Sequence, residues 1–155
     1  MSNTIFHEKW MTEALTLAKE AERQGEVPVG AVIVLDDEII GRGYNCPISL
    51  SDPSAHAEVQ AMRDAATRLG NYRMPGCSLY VTLEPCTMCV GALVHARVET
   101  VVYGAKEHRS GAVESQLQLL EASAHNHRVQ AIGGILEPQC REILQAFFRA
   151  RRKPQ

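Results

Sequence analysis

The chain has 155 residues, 45% hydrophobic and 22% charged, with 16 lysines and arginines against 18 aspartates and glutamates for a formal net charge of -2. That length suits one domain, residues 1–155, with a core of its own, and the charge balance excludes a polycation that holds nucleic acid or acidic membrane by charge alone. No apolar run approaches the ~20 residues that span a bilayer, no secretory leader pattern opens the chain, and five cysteines without an export signal favour metal or reactivity over a disulfide framework, so a cytoplasmic protein is expected.

Trp10, Met11, Ala14, Leu15, Ala18 and Ala21 recur at three- and four-residue spacing, which predicts an amphipathic helix over about 6–24 that Gly25 stops. Val27 to Leu35 is rich in β-branched residues, and Asp36-Asp37-Glu38 turns it into Ile39 to Tyr44, the pattern of a hairpin. Asp52-Pro53-Ser54 offers capping residues for a following helix that should bury Val59, Met62, Ala66 and Leu69 and end at Gly70. Ser78 to Thr82 reads as a strand, and Pro85 opens a helix through about Val94. Two short strands, Thr100 to Gly104 and Gln130 to Ile135, flank a helix near Val113 to Glu121, and a last helix covers Pro138 to Arg152. Strands alternating with helices predict an α/β fold of three layers, α/β/α, around a mixed sheet of about five strands.

Two segments carry chemistry: His56-Ala57-Glu58 and Pro85-Cys86-Thr87-Met88-Cys89. Cysteines three apart in a first helical turn share a face, and the helix N-terminus favours their thiolates, the forms that bind metal. With His56 they make three ligands for tetrahedral zinc, and a fourth position would be left for water. Glu58, two residues beyond His56, is badly placed to chelate the same ion and suits proton transfer instead. A site with two thiolates and a neutral imidazole is formally neutral, so a nearby base is needed to help activate water. Cys-x-x-Cys alone also fits a redox pair, half of a structural zinc ribbon or two buried thiols. A closed structural site would need a fourth ligand from Cys46, Cys77 or Cys140, which read as core residues. His7, His95, His108, His125 and His127 read as surface or satisfied core groups.

His-x-Glu followed by Pro-Cys-x-x-Cys resembles the cytidine and deoxycytidylate deaminase superfamily. Pro28-Val29-Gly30-Ala31-Val32, Gly43-Tyr44-Asn45, Asp52 to Glu58, Tyr80 to Cys86, Asn126 to Val129 and Phe147 to Arg152 bring the resemblance closer, to the bacterial tRNA-specific adenosine deaminases, over nearly the whole chain. It implies hydrolysis of adenosine to inosine at the wobble position of a tRNA anticodon, in an arginine tRNA. It also implies one zinc ion per subunit on His56, Cys86 and Cys89, proton shuttling by Glu58, and a homodimer that binds the anticodon stem-loop. Val29, Asn45, Ala57 and Leu83 would line the base pocket, and Phe148, Arg149, Arg151 and Arg152 would meet RNA. In relatives an aspartate stands where this chain has Glu107, and often an arginine where it has Cys46. Composition alone leaves RNA and small molecules both open as substrates, since Arg149, Arg151, Arg152 and Lys153 also suit the end of a helix and Phe147 and Phe148 suit a core. Arg42, Arg73 and Lys106 could extend a basic rim.

Overall fold

The computed structural model describes residues 4–122 and 124–152, so Lys153 lies outside the described residues. Helix α1 (Thr4–Arg23) buries Trp10, Met11, Ala14, Ala18 and Ala21, the stripe its spacing predicts. Strands β1 (Gly30–Leu35) and β2 (Glu38–Tyr44) pair antiparallel across Asp36 and Asp37, whose φ angles of 50° and 63° are those of a tight hairpin turn. Strand β3 (Ser78–Leu83) pairs antiparallel with β1, and β4 (Thr100–Ala105) and β5 (Gln130–Ile132) continue in parallel, giving the order β2-β1-β3-β4-β5. The expected mixed five-stranded sheet is thus present, although β5 is half the anticipated length.

Side chains alternate across the strands into two cores. Ala31, Ile33, Leu79, Val81, Val101 and Tyr103 meet α3 (Ala57–Leu69) and α4 (Thr87–Ala96). Val32, Val34, Tyr80 and Val102 meet α1, together with Cys140 of α5 (Glu137–Arg151). Helices on both faces explain why the inner strands read as unbroken apolar runs. The outer strand β2 is closed locally by α3, where the Arg42 N–H donates to Asp64 Oδ2 at 2.9 Å.

Three expectations are corrected. Asp52-Pro53-Ser54 does not cap α3; Asp52 Oδ1 accepts from the Ser54 N–H and hydroxyl at 2.9 and 2.7 Å, and the helix begins three residues later. Its buried face is Ala57, Glu58, Ala61, Met62 and Ala65, while Leu69 is exposed. The reason lies in β2, where a Cβ on Gly41 or Gly43 would sit 2.4 Å from the backbone of Ala61, so small residues are what meets the sheet there. Val113 to Glu121 forms no α-helix: turns precede a single 3-10 turn at Leu119–Glu121, because the N–H groups of Val113, Glu114 and Ser115 donate to the carboxylate of Glu84. A short helix the pattern did not announce, α2 (Pro47–Leu50), is tied to buried Glu26, which accepts from the Ile48 N–H, the Ser49 N–H and the Ser49 hydroxyl at 3.2, 2.7 and 2.7 Å.

Candidate active site

Helix α3 starts on His56 and α4 starts on Cys86, each capping residue in extended backbone, with Cys89 in the first turn of α4. The two helix ends converge, so His56 Nδ1 lies 3.6 Å from the Sγ of both Cys86 and Cys89. Among the described residues these three side chains form a group able to hold one metal ion. The capping acceptor for α3 comes from outside the helix: Asn45 Oδ1 accepts the Ala57 N–H at 2.8 Å, which fixes the end on which His56 sits.

Electrostatics at the convergence favour a thiolate. A hydrogen bond from the Cys89 thiol, with help from His56, holds the Cys86 thiol down to about 3, while the same shared proton and burial push Cys89 up. His56 is raised by its hydrogen bond to Cys86. Glu58 is buried at 4% exposure beside these groups, and burial pushes its carboxyl up to about 7 against the pull of its own backbone N–H. A carboxyl with that value exchanges protons near neutrality, as a general acid–base must.

The remaining cysteines and histidines fall outside the cluster. Cys46, Cys77 and Cys140 are buried thiols, and burial pushes Cys77 to about 11 and Cys140 to about 12. His7 bonds Tyr80, His125 bonds the Leu119 carbonyl and His127 bonds the Val98 carbonyl, at 2.7, 2.8 and 2.7 Å. His95 and His108 are exposed.

A surface cavity of about 1020 Å³ opens at the end of β3, lined by Leu83, Phe148, Arg149, Arg151 and Arg152 among others. Val29, Asn45 and Ala57 do not line it; they cluster at the start of α3, where the Asn45 N–H also bonds the Val29 carbonyl at 3.0 Å. The cavity carries six cations (Lys106, Arg109, Arg141, Arg149, Arg151, Arg152) against Glu107 and Glu137, a local excess in a chain of net charge -2. Arg42 and Arg73 lie away from it. Arg141 pairs with Glu137 and Arg149 with Glu142, and Arg151 donates to the Gly25 carbonyl at 3.0 Å while stacking on Phe147 at 3.8 Å. Arg152 has no ion-pair partner among the described residues. The sequence pattern does not announce Arg109 and Arg141 as lining groups, nor Glu26 and Glu84 as buried carboxylates; the partners of both acids lie 22 to 31 residues away, so no local pattern points to them.

The model of the MafB19-like deaminase family matches residues 5–152. The chain is 46% identical to the tRNA-specific adenosine deaminase of Haemophilus influenzae, across 96% of this chain and 86% of that protein. Against the tRNA-specific adenosine deaminase of Bacillus subtilis it is 45% identical over 94% and 91%. A solved structure from work on A-to-I editing by tRNA:A34 deaminases at the wobble position superposes with a TM-score of 0.86 at 43% identity, covering 88% of this chain and 99% of that one. NE0047 in complex with 2,6-diaminopurine, at 20% identity and a TM-score of 0.77 over 96% and 85%, shares the fold.

Proposed function

The chain belongs to the MafB19-like deaminases and, among them, to the tRNA-specific adenosine deaminases, and from that premise we propose that it converts the wobble adenosine of an arginine tRNA anticodon to inosine with one zinc ion per subunit. It is a hydrolase that releases ammonia from its substrate. The observation that carries the zinc-dependent reading is the convergence of His56, Cys86 and Cys89 with the buried carboxyl of Glu58 beside them.

The donor set fits zinc. Tetrahedral bonds of about 2.0–2.1 Å to nitrogen and about 2.3 Å to sulfur place those donors roughly 3.6 Å apart, the spacing His56 Nδ1 keeps from both sulfurs. Zinc bound there would supply Lewis-acid activation of water. Glu58 takes a proton from the attacking water and delivers it to the adenine ring nitrogen as oxygen adds to C6, then passes the proton of the new C6 hydroxyl to the amine as the C6–N bond breaks, so that ammonia leaves and a carbonyl remains. Asn45 spends its side-chain oxygen on the α3 cap, which leaves its NH2 to donate to the base or ribose. Val29, Ala57 and Leu83 complete the base pocket. Phe148, 44% exposed, offers a face on which a splayed base can stack, and Arg149, Arg151 and Arg152 supply charge toward phosphates.

The protein acts as a single deaminase domain, a reading supported by the span of the family match, and as a homodimer, as the resemblance implies, in the cytoplasm, as its cysteine usage suggests. Among the described residues no helix is long and apolar enough to cross a membrane. The test is nucleoside mass analysis of an arginine tRNA stem-loop after incubation with the pure protein. Inosine is expected with wild type, and none with a Glu58→Ala variant that retains its zinc. Full turnover in that variant overturns the role of Glu58. Ammonia released only from free nucleosides or bases, without RNA, overturns the substrate.

A further inference from the structure

Glu84 is a buried carboxylate, 2% exposed, that the chemistry above does not use. Its Oε1 accepts from the Glu107 N–H at 3.0 Å and the Ser115 hydroxyl at 2.5 Å. Its Oε2 accepts from the N–H groups of Val113, Glu114 and Ser115 at 3.1, 2.8 and 2.9 Å. No Lys or Arg pairs with it among the described residues, so five short-range dipoles carry the whole compensation of a buried negative charge.

The donors come from the two ends of one loop, residues 107–115, and the carboxylate fills the space the loop encloses. A Cβ on Gly111 would stand 2.4 Å from the Glu84 carboxyl carbon, so only glycine lets the loop close this tightly. The neighbouring Ala112 N–H donates to the Pro85 carbonyl at 2.9 Å, a second tie to the same strand end, and the Gly111 N–H donates to the Glu107 carbonyl at 2.9 Å within the loop. What the loop presents outward is Glu107, His108 and Arg109, three consecutive residues lining the cationic cavity.

We propose that Glu84 is a positioning residue for RNA recognition: its carboxylate locks the 107–115 loop to the strand end that leads into Cys86, so that Glu107, His108 and Arg109 form a fixed wall at a set distance from the reacting centre. This rests on the reading of the cavity as the RNA groove. A fixed wall lowers the ordering cost of binding without touching the chemical step, so its loss falls on KM and leaves kcat.

The experiment compares Glu84→Gln, Gly111→Ala, Ser115→Ala and Ser115→Thr in the zinc-loaded protein, by hydrogen exchange, zinc content and steady-state deamination of an anticodon stem-loop. Gly111 and Ser115 are remote in sequence from Cys86, so the three variants at these positions stay informative if Glu84→Gln fails to fold. In Gly111→Ala and Glu84→Gln the amides of Glu107, Val113, Glu114 and Ser115 are expected to exchange about tenfold faster, with KM raised roughly fivefold or more, kcat within about twofold and zinc content unchanged. Ser115→Ala gives a smaller change in the same direction, and Ser115→Thr restores it by returning the hydroxyl. Unchanged amide protection overturns the clamp, and faster exchange with an unaltered KM overturns its role in RNA binding. A fall in kcat and zinc content with KM constant assigns Glu84 to the metal segment instead. Wild-type protein that leaves the stem-loop unmodified defeats the underlying function, a failure seen without any variant.

Discussion

The cationic residues at the end of α5 look interchangeable along the chain, yet their surroundings set them apart. Arg151 bridges α5 to the Gly25 carbonyl and stacks on Phe147, whereas Arg152 has no such partner among the described residues. Arg151→Ala is therefore expected to cost about 0.5–1.5 kcal/mol of stability, read as a lower midpoint in thermal unfolding. Arg152→Ala should leave that midpoint in place and reduce the salt slope of stem-loop binding by about one. An unchanged slope removes Arg152 from the interface. Asn45 separates two duties in the same way. Asn45→Asp keeps the acceptor that caps α3 and Asn45→Ala deletes it, so only the alanine variant should lose the 0.5–2 kcal/mol typical of a cap, measured by denaturant unfolding. Both should weaken substrate binding if the amide NH2 meets the base.

Buried carboxylates play the corresponding part between elements. Burial alone would raise Glu26, but the two hydrogen bonds from Ser49 and one from the Ile48 N–H outweigh it and hold the carboxyl below its ordinary range. A group depressed in the folded state stabilises fully above the unfolded value, near 4.3, and that contribution fades as pH falls through the lower folded value. Glu26→Gln should flatten the acid limb of a stability–pH curve below about pH 4.5, and an unaltered limb would show that the tether of α2 contributes nothing there. These long-range ties also mark what the sequence leaves hidden. The hairpin, the α1 stripe and the Cys86–Cys89 pair were legible because each is written in spacings of two, three or four residues. The false helix at Val113 to Glu121 and the misread face of α3 were decided elsewhere, by Glu84 and by Gly41 and Gly43, residues distant in the chain. His56 and Cys86 are separated by 30 positions, so their convergence followed from motif chemistry and not from local pattern.

For the molecule as a whole, a metal ion held by His56, Cys86 and Cys89 would act as a cross-brace, since the folded state brings these side chains together from two segments of the chain. Metal that binds this state alone adds stability by mass action. Chelation should then lower the thermal midpoint by on the order of 10 °C, given about 4 kcal/mol at saturating metal and 2–4 °C per kcal/mol at this size. A midpoint indifferent to chelator would exclude that brace. The cationic cavity in a chain of net charge -2 also predicts steep weakening of RNA binding between low and physiological salt. Finally, the outermost strand of the sheet bears on how copies behave in a crowded solution. With the Arg42 amide occupied by Asp64 and with charge at Glu38 and Arg42, β2 offers a neighbour an interrupted ladder and resists edge-to-edge zippering. Asp64→Ala would uncover that donor, and faster fibril or aggregate growth on mild heating would be the visible consequence.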